Sequence, residues 1–166
     1  DHRRDQAALA VSDQAHAIGV DRVLELAERL TVDAMRALVE RGPRASTALI
    51  GNLGDAFHAD DSTNRTRRSG HQLHTDGTFM QTRQAGVRIV GTMIRTALEH
   101  HDRVIVENIP GNHDDDSAAW LSVALGVWFE NEPRVEIVQS PAPARYHRHG
   151  KCLIGLVHGH NTKHEE

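Results

Sequence analysis

The chain has 166 residues, 39% of them hydrophobic and 25% charged, which are ordinary values for one globular domain with a hydrophobic core. Its net charge of −4, with histidine neutral, argues against passive binding of nucleic acid but not against a nuclease whose metal ions supply positive charge locally. The single cysteine, Cys152, excludes an internal disulfide and fits a reducing compartment.

The sequence carries no signal for a membrane. No apolar run is long enough to span a bilayer, and residues 1–5 lack the apolar core of a signal peptide. We therefore expect a cytoplasmic protein that has no membrane partner.

Helical and strand patterns alternate along the chain. An amphipathic pattern predicts a helix over 21–41, with Asp21 as its N-cap and Gly42-Pro43 as its end. The later predicted elements are a strand over 47–53, a long polar loop over 57–80, a helix over 82–101, a strand over 104–109, a helix over 117–131, a strand over 134–138, and a hairpin of strands 144–149 and 152–157. This order predicts an α/β domain whose mixed sheet is mostly parallel and turns antiparallel late in the chain.

Polar residues follow three of the predicted strands. The strand before Gly54-Asp55, the strand before Gly111-Asn112-His113-Asp114 and the strand before His158-Gly159-His160 all end in oxygen or imidazole ligands. Open α/β sheets place their chemistry at the carboxyl ends of the strands, so the pattern predicts a metal centre there. Mixed nitrogen and oxygen ligands favour manganese, zinc or iron over calcium.

The residues of the second strand end have distinct chemical uses. The amide oxygen of Asn112 can bind a divalent cation, His113 can protonate a departing alkoxide, and Asp114 can hold that imidazole in one tautomer. The alternative is a type I turn in which Asn and Asp satisfy backbone amides. Asp55 can bridge two cations, although a glycine followed by an aspartate is by itself more typical of a plain turn.

The remaining candidates are weaker. His158 and His160 are one residue apart, so an extended backbone would point both toward one site; an ordinary strand-terminal histidine is the alternative. In the 57–80 loop, Arg65 is a candidate phosphate contact and His58 a further substrate-side residue. For both, a solvated loop residue is the competing interpretation.

Several of these motifs, taken together, resemble a known family. The matching segments are Asn52–Asp60, Asn64-Arg65-Thr66, Ser69-Gly70, Pro110–Asp114 and Val157-His158-Gly159, within a similarity that spans roughly 21–163. They are similar to those of calcineurin-like metallophosphoesterases, most of all the members encoded by bacteriophages. The resemblance implies two facing mixed sheets flanked by helices, with a two-metal site at the strand ends. It also implies hydrolysis of phosphomonoesters or phosphodiesters, and some members of the family are DNA repair nucleases.

The resemblance also implies roles for individual residues. Asp55 would bridge both metals, Asn112 would bind one of them, and His113 would assist the leaving group. His158 corresponds to a later metal-binding histidine, with His160 as a partial substitute for a missing ligand. The implied cofactor is a divalent metal, Mn²⁺ first, with Zn²⁺, Fe²⁺ and Mg²⁺ as alternatives. The implied partner is a phosphoester substrate such as DNA, in the host cytoplasm if the chain is phage-encoded.

Two family motifs are missing from the chain. It contains no Asp-x-His, and Gly159-His160-Asn161-Thr162 lacks the second histidine of the family's closing Gly-His-x-His. The chain therefore resembles a single domain over 1–166 that is an internal fragment, a truncated homologue or a degenerate relative. Two hypotheses follow: a two-metal phosphodiesterase or nuclease, and a catalytically impaired remnant that acts as a structural or interaction domain. Sheet edges exposed by missing strands would favour a homo-oligomer.

Overall fold

The computed structural model of the chain describes residues 22, 24–42, 44–67, 69–74 and 77–160. Helix α1 comprises residues 22 and 24–41, so its predicted N-cap, Asp21, and the predicted Pro43 stop lie outside the described residues. The elements that follow are β1 (Thr47–Asn52), α2 (Phe79–Leu98), β2 (Arg103–Asn108), α3 (Asp115–Trp128), β3 (Val135–Ile137), β4 (Ala144–His149) and β5 (Cys152–Val157). The predicted α/β class and the order of its elements are confirmed. None of the described helices is long and apolar enough to cross a membrane.

The strands form two separate sheets. β1, β2 and β3 make a parallel sheet with β2 in the centre, and Asn52 lies opposite Asn108 where β1 and β2 end. β4 and β5 pair antiparallel from Ala144 opposite Val157 to His149 opposite Cys152, which confirms the predicted hairpin. The predicted change from parallel to antiparallel pairing late in the chain occurs between two sheets: among the described residues the hairpin strands pair with each other and not with the parallel sheet.

The two faces of the parallel sheet are covered differently. Side chains alternate along a strand, so Ile50 and Val106 share one face, where they join the core formed with helices α2 and α3. Gly51 and Glu107 share the opposite face. There a Cβ added to Gly51 would lie 3.4 Å from the side chain of Leu156. The hairpin therefore lies against the face of the parallel sheet opposite helices α2 and α3.

Both helices that flank the core begin earlier than predicted. α2 begins at Phe79 because Thr78 and Gln81 form a capping box, each side chain bonding to the other's backbone N–H. α3 begins at Asp115 because Asp60, from the preceding loop, accepts hydrogen bonds from the backbone N–H groups of Asp116 (3.2 Å) and Ser117 (2.9 Å). A cap supplied from 56 residues away cannot be read from local sequence.

The polar stretch over 57–80 is built into the domain rather than left as a free loop. Phe57 and Leu73 are buried, and Arg65 pairs with Gln72 in an isolated antiparallel bridge. The ring of Phe57 occupies the space above Gly86 of α2, where an added Cβ would lie 2.2 Å from its Cε1 atom. This close approach fixes the start of the loop on the second helix.

Replacing Gly86 with alanine is expected to lower the free energy of unfolding by roughly 1–3 kcal/mol, because the new methyl group would overlap the Phe57 ring. The matched control is Gly126→Ala in α3, where the methyl group would meet only the side-chain amide of Gln139 at 2.9 Å. That change should stabilise α3 by up to about 1 kcal/mol, less the cost of moving the amide. Urea denaturation of both variants measures the difference, and equal midpoints would contradict the packing.

Candidate metal centre

The turns that follow β1 and β2 touch each other through two glycines. Gly54 has a φ of +94°, and a Cβ added to it would lie 2.8 Å from the Cα of Gly111. A Cβ added to Gly111 would lie 2.1 Å from Oδ1 of Asp55. No larger residue fits at either position without moving a turn. Because both positions are glycine, the backbones of the two turns can lie in direct contact.

A buried carboxylate joins the same two turns. The side chain of Asp114 is fully buried, and its Oδ1 accepts hydrogen bonds from the backbone N–H groups of Asp55 (2.9 Å) and Gly111 (3.2 Å). Its Oδ2 accepts a third from the N–H of Phe57 (3.1 Å). Three N–H donors compensate the burial of the charge. Asp114 therefore holds the turn after β1 against the turn after β2.

The prediction that Asp114 orients the imidazole of His113 is wrong. Both oxygens of Asp114 are used by backbone N–H groups, whereas Nδ1 of His113 lies 3.2 Å from the carbonyl oxygen of His58. A carbonyl can only accept, so this contact places the hydrogen of His113 on Nδ1 and leaves Nε2 for other partners. The imidazole is thus oriented by the backbone of the 57–80 stretch.

Three predicted ligand atoms converge beside these turns. Nε2 of His158 lies 3.2 Å from Oδ2 of Asp55 and 3.1 Å from Oδ1 of Asn112. The other oxygen of Asp55 accepts the backbone N–H of His113 at 3.0 Å, which fixes the carboxylate. The strand ends of β1, β2 and β5 therefore bring Asp55, Asn112 and His158 together, as the sequence predicted.

The donor set fits a divalent cation. Nδ1 of His158 lies 2.7 Å from the carbonyl oxygen of Leu53, which can only accept, so Nδ1 carries a hydrogen. Whenever the ring is neutral, its Nε2 then turns a lone pair toward two oxygens. Only a proton or a cation can satisfy three such atoms together. Nitrogen and oxygen ligands lie about 2.0–2.2 Å from a metal, so neighbouring ligands at right angles are about 3 Å apart, close to the separations found here. The Leu53 carbonyl acts as the outer partner that usually fixes a metal-binding histidine.

The described residues provide one such group of ligands. No cluster of three or more His, Cys, Asp or Glu side chains that could hold a metal occurs among the described residues. The group around His158 has two such side chains, and its third member is the amide of Asn112. The ring of His160 lies 5.1 Å from that of His158. The prediction that both rings face one site required an extended backbone between them, and this condition is not met, since Gly159 has a φ of +93°.

The substrate-side candidates separate in the structure. His58 is exposed, and its ring centroid lies 5.6 Å from that of His113, so the two imidazoles share one surface. Arg65 is also exposed, but no described contact joins its side chain to the Asp55, Asn112 and His158 group. Its neighbour Arg67 forms an ion pair with Asp116 at 2.9 Å, which raises the pKa of the guanidinium.

Arg83 supports the site and was missed by the sequence analysis. Its guanidinium donates to the carbonyl of Ala59 and to Oγ of Ser117, and it lies 3.9 Å from the centroid of the Phe79 ring. Burial lowers the pKa of Arg83, and the nearby carboxylates of Asp60, Asp114 and Asp61 oppose this effect. The available signal was its position four residues before Val87, on the apolar side of α2.

Comparison with known protein families, curated proteins and solved structures gives no match for this chain. The functional interpretation therefore depends on the geometry of the site itself.

Asp114→Asn is expected to lower the free energy of unfolding by about 1–3 kcal/mol, because the amide nitrogen cannot accept a hydrogen bond and would face backbone N–H groups. Hydrogen exchange should show faster exchange at the amides of Asp55, Phe57 and Gly111, which bond to this carboxylate. The control is Asp115→Asn, which changes an exposed side chain one residue later. Unchanged protection of those amides in Asp114→Asn would contradict the role of Asp114.

Proposed function

We propose that the chain is a metal-dependent phosphoesterase of the calcineurin-like metallophosphoesterase type that cleaves phosphodiesters of nucleic acid. The observation that carries the proposal is the convergence of Asp55 Oδ2, Asn112 Oδ1 and His158 Nε2, with separations of 3.1 and 3.2 Å around the histidine nitrogen. In this proposal the parallel sheet and the hairpin belong to the two facing sheets of the family's sandwich.

The three ligands would hold a divalent cation, and their mixture of imidazole, amide and carboxylate suits manganese, zinc or iron. Mn²⁺ is the first candidate on the family resemblance. When bound, the cation supplies Lewis acidity toward a phosphate group and toward water. Two of the ligands are preorganised by hydrogen bonds. His158 bonds through Nδ1 to the Leu53 carbonyl, and Asp55 accepts the backbone N–H of His113. Little reorganisation would be needed when the metal enters.

His113 is the proposed proton donor to the leaving oxygen. Its Nδ1–H faces the His58 carbonyl, so the proton given to the leaving oxygen would be the one that Nε2 carries in the imidazolium form. His58 lies beside it on the exposed surface, where a phosphodiester could reach both rings. Arg65, whose side chain is exposed in the neighbouring stretch, is the proposed contact for a more distant phosphate.

One observation favours a second candidate, a metal-binding domain without hydrolytic activity. A two-metal mechanism needs ligands for both cations, and the described residues supply one group of three. In this alternative the chain would bind one cation and serve as a structural or interaction domain. Metal binding alone cannot separate the two functions, so binding and hydrolysis have to be measured on the same variants.

The test combines Mn²⁺ titration with hydrolysis of bis(p-nitrophenyl) phosphate and of single- and double-stranded DNA. His158→Ala and Asn112→Ala should weaken Mn²⁺ binding, because each removes one of three ligands. His113→Ala should leave Mn²⁺ affinity unchanged and lower the rate of hydrolysis by about 10²- to 10⁴-fold. His149→Ala, an exposed histidine at the hairpin tip, is the matched control and should change neither quantity.

The outcomes separate the candidates. The non-catalytic domain would be favoured by two results together. His158→Ala would weaken Mn²⁺ binding, and the unmodified chain and His113→Ala would show the same background rate of hydrolysis. Mn²⁺ binding that is equally tight in the unmodified chain and in His158→Ala would contradict the proposed metal centre.

A further inference from the structure

The hairpin that carries His158 is joined to the parallel sheet by a buried ion pair. Nε of Arg145, in β4, lies 3.2 Å from Oε2 of Glu107, in β2, and the two side chains are only 9% and 8% exposed. Neither of these two atoms has a hydrogen-bond partner among the described residues, so charge attraction between them is what compensates their burial. No other buried ion pair occurs in the described part of the chain.

The backbone around Arg145 prevents its guanidinium from turning away. Nη1 donates to the carbonyl oxygen of Ala142 at 2.5 Å, and Nη2 donates to the carbonyl of Ser140. Both carbonyls belong to the segment that connects β3 to β4. The guanidinium therefore binds the connecting segment through Nη1 and Nη2 and faces Glu107 through Nε. These contacts hold the start of β4 in one position on the parallel sheet.

The ion pair is close in sequence to two metal ligands. Arg145 lies opposite Leu156 in the hairpin, and Leu156 is two residues before His158. Glu107 lies five residues before Asn112, at the end of β2. A shift of the hairpin along the sheet by one residue would separate Arg145 from Glu107 and leave two charges buried without partners. Such a shift would also move His158 by about 3.3 Å, the rise per residue of a strand, and break its contacts with Leu53 and Asn112.

We infer that Glu107 and Arg145 are positioning residues that fix the hairpin on the sheet so that His158 meets Asp55 and Asn112. The contribution to metal binding is indirect, since neither residue contacts the ligands. This inference rests on the proposed function only in treating His158 as a metal ligand. Its geometric part, the position of the His158 ring, can be tested without metal.

The test uses the double variant E107M/R145M, which removes both charges and keeps long apolar side chains. Single substitutions would leave one buried charge unpaired and prevent folding for reasons unrelated to positioning, whereas replacing both partners is usually tolerated. The matched control is R103M/E136M, which removes an exposed ion pair between β2 and β3. Circular dichroism establishes that both variants are folded.

The first readout is the tautomer of His158, measured by ¹⁵N NMR without metal and assigned by the signal lost in His158→Ala. The unmodified chain and R103M/E136M should hold the hydrogen on Nδ1, which contacts the Leu53 carbonyl. E107M/R145M should show the tautomer mixture of a solvated histidine. The second readout is Mn²⁺ affinity, which should fall in E107M/R145M and stay unchanged in the control. The expected loss is at most about 10- to 100-fold, the loss that follows removal of a direct outer partner of a metal ligand.

Unchanged tautomer and unchanged Mn²⁺ affinity in folded E107M/R145M would overturn the inference. If the unmodified chain binds no Mn²⁺, the proposed function fails, and the tautomer comparison still decides whether the ion pair positions His158. An equal change of tautomer in R103M/E136M would also overturn the inference. The change would then follow the loss of an ion pair in general and not the loss of the Glu107–Arg145 pair.

Discussion

The buried carboxylate of Asp114 is the interaction on which the candidate site depends. It accepts backbone N–H groups from Asp55, Phe57 and Gly111, and so joins the turn after β1 to the turn after β2. A buried charge is costly unless it is hydrogen-bonded, and these three bonds stabilise one arrangement of the two turns over others. Because Gly54 and Gly111 allow the turns to touch, the carboxylate can reach both. The positions of Asp55 and Asn112 follow from this contact.

The third ligand comes from a different layer of the molecule. The parallel sheet supplies Asp55 and Asn112 at the ends of neighbouring strands, whereas His158 arrives from the hairpin on the sheet's other face. The parallel sheet and the hairpin share no strand pairing, so side-chain contacts have to fix the position of one on the other. Leu156 packs closely over Gly51, and the buried Glu107–Arg145 ion pair joins β4 of the hairpin to β2 of the sheet.

The sequence predicted the strand ends well because two local rules apply there. Apolar runs identify buried strands, and parallel strands collect their carboxyl ends at one edge, so Asp55 and Asn112 could be placed together. The hairpin was readable from Gly150-Lys151 between two segments with strand character. Long-range bonds were not readable: the cap that Asp60 gives to α3 and the role of Asp114 both join residues more than 50 positions apart. The sequence likewise could not show that the hairpin lies on a face of the sheet rather than extending it.

The central claim is that Asp55, Asn112 and His158 bind one cation. Diffraction from crystals soaked in Mn²⁺, recorded at the manganese absorption edge, tests it most directly. We expect one anomalous peak about 2.0–2.2 Å from Oδ2 of Asp55, Oδ1 of Asn112 and Nε2 of His158. These three side chains in place with no peak between them, or a peak bound by other residues, would contradict it.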